Sequence, residues 1–134
     1  MQNTELILSS DNRIYHLDLK KGDLAENIIL VGDPNRVAMI SKKFDIVEIK
    51  RSNREFITHT GYYNEKRISI ISTGIGVDNI DIVINEIDAL FNVDFQNKTI
   101  EKNKKKLNII RLGTTGSLQK NLKVNSFIIS KYAL

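Results

Sequence analysis

Three times in this chain of 134 residues a short, largely apolar run ends in a loop built from small residues. Asn27-Ile28-Ile29-Leu30-Val31 leads into Gly32-Asp33-Pro34-Asn35-Arg36. The run from Arg67 leads into Ser72-Thr73-Gly74-Ile75-Gly76. Asn108-Ile109-Ile110-Arg111-Leu112 leads into Gly113-Thr114-Thr115-Gly116. A short continuous apolar run that stops at a turn reads as a strand buried on both faces, so helices must cover the sheet. The helices are visible. Asp33 suits an N-cap with Pro34 at the first helical position, and Val37, Ile40 and Phe44 then share a face. Val77, Ile80, Ile84, Ile87 and Phe91 recur at steps of three and four, which predicts a second helix. Asp45 to Lys50 alternates as a strand. Glu55 to Tyr63 and Arg67 to Thr73 flank Asn64-Glu65-Lys66 as a hairpin, and Ser126 to Ser130 reads as a last strand. The order β-α-β-β-β-α-β-β predicts an α/β fold: one domain over residues 1–134, with a mixed β-sheet flanked by helices.

Composition narrows the chemistry. Lys and Arg number 20 against 16 Asp and Glu, a net charge of +4 that suits an anionic ligand. With no Cys and two His, neither a disulfide framework nor a metal site is expected. No apolar run approaches the roughly 20 residues of a membrane span, and Met1 to Asp11 lacks the pattern of a leader, so no membrane partner and a cytoplasmic location are expected. Gln96 to Lys106 is Lys-rich with a single apolar residue and reads as a solvated loop insertion. A nucleic-acid patch is the sharper alternative. No aromatic interleaves the lysines, so no nucleic-acid partner is expected. Gly74-Ile75-Gly76 has two of the three glycines of a dinucleotide fingerprint, and no Walker-type Gly-Lys-Ser/Thr ending occurs.

The three loops share one design. In an open α/β sheet, ligands bind outside the carboxyl ends of the strands. Glycine lets backbone N–H groups approach an anion closely, and arginine offers a planar fork to its oxygens. Together the loops predict a phosphate cradle. Arg111 is the sharpest element, because a charge at the end of an apolar strand needs a partner. Taken singly, Arg36 reads as a solvated side chain, Arg54 as a strand-edge arginine and His59 as a surface residue. Tyr62 and Tyr63 read as packing or interface residues.

Tyr15-His16-Leu17, Gly32-Asp33-Pro34-Asn35-Arg36, Arg54-Glu55-Phe56, Ser72-Thr73-Gly74-Ile75-Gly76 and Ile110-Arg111-Leu112-Gly113-Thr114-Thr115-Gly116 stand in the order seen in the nucleoside phosphorylases. The chain most resembles the uridine phosphorylase branch. The resemblance runs from about Ile14 to Leu134 and covers the N-terminal half of the family's usual chain. It implies a truncated nucleoside phosphorylase-like fold. It also implies cleavage of a nucleoside's N-glycosidic bond by inorganic phosphate, a co-substrate, with no cofactor, giving free base and ribose 1-phosphate. By resemblance Gly32, Arg36, Arg111 and Thr114 bind the phosphate, with Gly113, Thr73 and Gly74 as a backbone cradle. Arg54 and His16 reach the phosphate and the ribose of a neighbouring subunit, in a homo-oligomer that is a dimer or a hexamer of dimers. The family's base-recognition residues lie in its second half, so purine nucleosides stay open, as does a catalytically inactive phosphate-binding remnant. Asn53 departs from the family, where a His often precedes Arg-Glu-Phe.

Overall fold

The computed structural model describes residues 6–132, so Met1–Glu5 and Ala133–Leu134, the outermost residues of the sequence reading, lie outside the described residues. The elements run β1 (Asn27–Val31), α1 (Asn35–Ser41), β2 (Ile46–Asn53), β3 (Phe56–Tyr63), β4 (Lys66–Ser72), α2 (Val77–Asn92), β5 (Val93–Asp94), β6 (Thr99–Ile100) and β7 (Asn108–Leu112). Five of them form a mixed sheet in the order β2-β3-β4-β1-β7. β1 pairs in parallel with both β4 and β7, while β2, β3 and β4 form an antiparallel meander.

Alternation along β1 explains the two layers. Ile28 and Leu30 belong to the larger core, with Leu17, Leu19, Phe56, Ile71, Val83, Ile87 and Leu90. Val31 and its neighbour Ile29 belong to the smaller one, with Val37, Ile70, Ile40 and Phe44. Successive strand residues point to opposite faces, so β1 serves α2 and the N-terminal segment on one side and α1 on the other. The α1 face expected from Val37, Ile40 and Phe44 is the one that packs. Pro34 already has helical dihedrals (φ −54°, ψ −34°), and Asp33 Oδ1 accepts the Asn35 N–H at 2.9 Å. The helix thus begins one residue later than its Asp-Pro signal, with Asp33 still holding an early amide.

Several expectations need correction. β7, read as an apolar strand buried on both faces, is exposed at all five of its residues, so Arg111 there is not a buried charge in want of a partner. The Ser126–Ser130 strand is absent: residues 113–132 contain no strand or helix, and Phe127 and Ile129 are fully exposed. Apolar alternation makes a strand only where a ladder partner exists, and among the described residues β7 pairs on one side alone. The buried face of α2 is Val83, Ile87 and Leu90, not the full stripe from Val77; Val77 is 82% and Ile84 38% exposed. This helix carries apolar residues on more than one side, so periodicity alone placed the stripe off by about one residue step, roughly 100°. His59, expected on the surface, is half-buried behind α1, with Nδ1 2.7 Å from Ser41 Oγ.

Burial holds the His59 imidazole below its usual pKa, with the charge of Lys50 adding to the effect. A group whose neutral form the fold favours binds more protons when unfolded. Its contribution is therefore constant above the ordinary histidine pKa and is lost as pH falls below about 6.5. Denaturant titrations should show stability declining between pH 7 and 5, before the carboxylates titrate, and His59→Gln should flatten that slope. An unchanged slope would contradict the burial argument.

The Lys-rich segment is not all loop. β5 and β6 make a small hairpin whose turn is held by Asp94 Oδ1, which accepts the Gln96 N–H at 2.9 Å. Gly61, beside the irregularity between Val47 and Ile49, marks a close approach of chain to chain. A Cβ there would overlap the Ile46 carbonyl oxygen and lie 2.7 Å from Phe44 Cδ2. Gly61→Ala should cost about 3 kcal/mol in urea unfolding; a change within error would mean the strand shifts freely.

Candidate functional site

Because β1, β4 and β7 run in parallel and in register, their last residues Val31, Ser72 and Leu112 stand side by side. The three small-residue loops therefore open at one end of the sheet. Between them lies a cleft of about 610 Å³, lined by Gly32, Asp33, Pro34, Arg36, Glu55, Gly74, Ile75, Gly76, Asn79, Arg111, Gly113 and Thr114. Six of these, Gly32, Arg36, Gly74, Arg111, Gly113 and Thr114, are residues singled out from sequence.

Arg111 spans the cleft. A Cβ built on Gly113 would lie 3.1 Å from its Nη1, and one on Gly32 would lie 3.7 Å from its Nη2. The guanidinium thus reaches from its own loop towards the loop after β1, and both glycines keep room for it. The guanidinium groups of Arg111 and Arg36 make no ion pair or hydrogen bond with the described residues. They are the free cations of the cleft. Its acidic groups are engaged: Asp33 on the Asn35 amide, and Glu55 Oε1 on Asn79 Nδ2 at 3.0 Å. The Glu55 carboxyl is held below the usual carboxylate range, first by its own backbone N–H and then by the Asn79 amide.

Thr73 stands apart from the expected cradle. It is fully buried; its N–H goes to Val31 O at 2.8 Å and its hydroxyl lies 3.3 Å from the same oxygen. The hydroxyl also lies 3.1 Å from the Gly74 carbonyl oxygen, so it is the backbone N–H that ties the loop after β4 to the end of β1. Ser72 does the same for the turn after β2. Its hydroxyl donates to Glu55 O at 2.6 Å and accepts the Ile57 N–H at 2.7 Å. Arg54 sits in that turn with φ +54°, exposed, and does not line the cleft of its own chain. His16 also lies outside it, against Glu86 of α2 at 2.7 Å.

Sequence reasoning missed Asn79 and left Glu55 without a role. Glu55 was visible within Arg54-Glu55-Phe56, whereas Asn79 in the first turn of α2 carries no pattern of its own. A larger cleft, about 720 Å³, opens near Glu26 and Asn27, at the opposite end of β1. Its cations are all paired: Lys21 with Glu101 (3.1 Å), Lys105 with Glu26 (3.3 Å) and Arg67 with Glu48 (2.7 Å). Size favours that cleft, but available charge favours the one beyond β1, β4 and β7. Among the described residues no group of three or more His, Cys, Asp or Glu is placed to hold a metal. None of their helices is long and apolar enough to cross a membrane.

This is an α/β protein whose mixed sheet delivers two unpaired arginines and three glycine-bearing loops to one cleft. The family model described as the phosphorylase superfamily matches residues 26–134, and the chain belongs to that nucleoside phosphorylase family. It is 36% identical over 119 residues to the DeoD-type purine nucleoside phosphorylase of Bacillus thuringiensis (strain Al Hakam), covering 88% of this chain and 45% of that protein. Among solved structures it is similar to a Trypanosoma brucei nucleoside phosphorylase described as showing uridine phosphorylase activity. The TM-score is 0.81 at 38% identity, over 89% of this chain and 41% of that one. A uridine phosphorylase of Phytophthora capsici follows at a TM-score of 0.72 and 30% identity, over 90% of this chain and 37% of that one. The chain thus spans less than half the length of these relatives.

Proposed function

We propose that this chain supplies the phosphate-holding half of a nucleoside phosphorylase acting on uridine. Inorganic phosphate attacks C1′ of the ribose, the N-glycosidic bond breaks, and the products are ribose 1-phosphate and the free base. Phosphate is the co-substrate and no cofactor takes part. Gly32, Arg36, Arg111 and Thr114 bind the phosphate, with the Gly74 and Gly113 backbone beside them. Arg54 and His16 act in the site of a neighbouring copy, in a cytoplasmic homo-oligomer. The departing base leaves an oxocarbenium-like sugar, which an anion fixed on its other face stabilises.

The observation that carries this reading is the unpaired Arg111 guanidinium, held between Gly32 and Gly113 at the mouth of three converging loops. The similarity to the trypanosomal enzyme supports uridine over a purine nucleoside. The test is release of free base from uridine, thymidine, inosine and adenosine, each with and without phosphate. Phosphate-dependent release, fastest from uridine, is expected. Release without phosphate would contradict the reading, and release fastest from inosine would contradict the substrate.

A further inference from the structure

Glu86 lies 70 residues from His16 in sequence, yet its carboxylate gathers three groups from that segment. Oε1 accepts the His16 N–H at 3.0 Å and faces His16 Nδ1 at 2.7 Å; Oε2 accepts the Leu17 N–H at 2.8 Å. The Glu86 side chain is 12% exposed. A carboxylate taking backbone donors on both oxygens is acceptor-only. The ring nitrogen facing it must then carry a proton, so the neutral imidazole is the Nδ1–H tautomer.

The rest of His16 is equally constrained. Asn53 Nδ2 donates to the His16 carbonyl at 2.9 Å and to the Tyr15 carbonyl at 3.2 Å. The ring stands edge-on to Tyr15 at 4.9 Å and to Phe56 at 6.3 Å. The group left open is Nε2, which makes no hydrogen bond to the described residues. A histidine that only packed would not need one ring nitrogen clamped and the other left free.

We infer that Glu86 is the positioning residue of His16, setting its tautomer so that a bare Nε2 accepts a hydrogen bond from a sugar hydroxyl of a nucleoside. The sugar part rests on the nucleoside reading above; the tautomer part does not. Asn53 belongs to the same device, holding the carbonyl side while Glu86 holds the amide side.

Long-range ¹H–¹⁵N correlation spectra of the full chain test both parts. At pH 7.5 the wild-type His16 should show a protonated Nδ1 and a bare Nε2. Glu86→Gln keeps the side-chain shape and one acceptor oxygen, so the chain stays folded by circular dichroism while the pure Nδ1–H signature is lost. Titrating uridine in the presence of inorganic phosphate should shift wild-type Nε2, with at least a tenfold weaker response in Glu86→Gln. The Arg111 side-chain response to phosphate should be the same in both. An Nε2–H ring in the wild type, or a Glu86→Gln spectrum identical to it, overturns the proposal. A phosphate response at Arg111 with no uridine or inosine response at His16 overturns its sugar part. Silence at Arg111 as well counts against the phosphorylase reading, and the tautomer still decides for or against Glu86.

Discussion

Arg111→Ala is expected to weaken phosphate binding by roughly two to four orders of magnitude while leaving the fold in place. Charge-assisted hydrogen bonds contribute about 1.5–3 kcal/mol each. The Arg111 guanidinium presents two nitrogens, directed towards Gly113 and Gly32. Losing two such bonds removes about 3–6 kcal/mol, and each 1.4 kcal/mol is about tenfold in affinity. The side chain is exposed and makes no ion pair among the described residues. Its truncation should therefore change unfolding free energy by no more than about 0.5 kcal/mol. Arg111→Lys keeps the charge but not the fork, and should recover only part of the affinity. Calorimetric titration with phosphate, beside urea unfolding of each variant, checks both halves. A destabilised Arg111→Ala with undiminished phosphate affinity would make Arg111 structural.

Gly74→Ala is expected to damage fold and cleft together. Gly74 has φ +67°, a left-handed conformation that costs an L-residue about 1–2 kcal/mol. A Cβ there would lie 2.8 Å from Asn79 Nδ2 and 2.9 Å from Glu55 Cγ. It would press on the Asn79–Glu55 hydrogen bond, which joins the first turn of α2 to the turn before β3. Strain and overpacking together should destabilise the chain by about 2–4 kcal/mol. With that hydrogen bond loosened, the Glu55 carboxyl should also titrate closer to its ordinary value, readable by carboxyl-carbon NMR. A variant with wild-type stability and an unmoved Glu55 would show that the loop has slack.

Much of this was legible in the sequence because it depends on local signals. β1 was visible as an apolar run closed by Gly-Asp-Pro, and the β3–β4 hairpin by its turn, where Asn64 and Glu65 take positive φ. The cleft residues were visible only as a set, since singly Arg36 reads as a solvated side chain and a Gly-Thr loop as a plain turn, whereas three such loops each follow a strand. What stayed hidden depends on pairing across long separations. The α2 face could not be chosen from periodicity, since Val77 and Ile84 match the helical repeat as well as Val83 and Leu90 do. His59 looked like a surface residue in a polar strand because Ser41, its partner, is supplied by α1. Ser126–Ser130 has the alternation of a strand without a neighbour to pair with. Thr73 looked like part of the cradle, but parallel pairing of β4 with β1 directs its backbone N–H to the Val31 carbonyl. Glu86 offered no pattern, since its three bonds meet a segment far away in the chain.

The account rests on three loops acting as one phosphate site. Following the backbone amides of Gly32, Gly74 and Gly113 by NMR during titration with inorganic phosphate tests that directly. The account predicts that all three shift together, saturate with a single dissociation constant, and stop responding in Arg111→Ala. Shifts confined to the lysines of the Gln96–Lys106 segment, or no saturable shift at the three glycines, would contradict it.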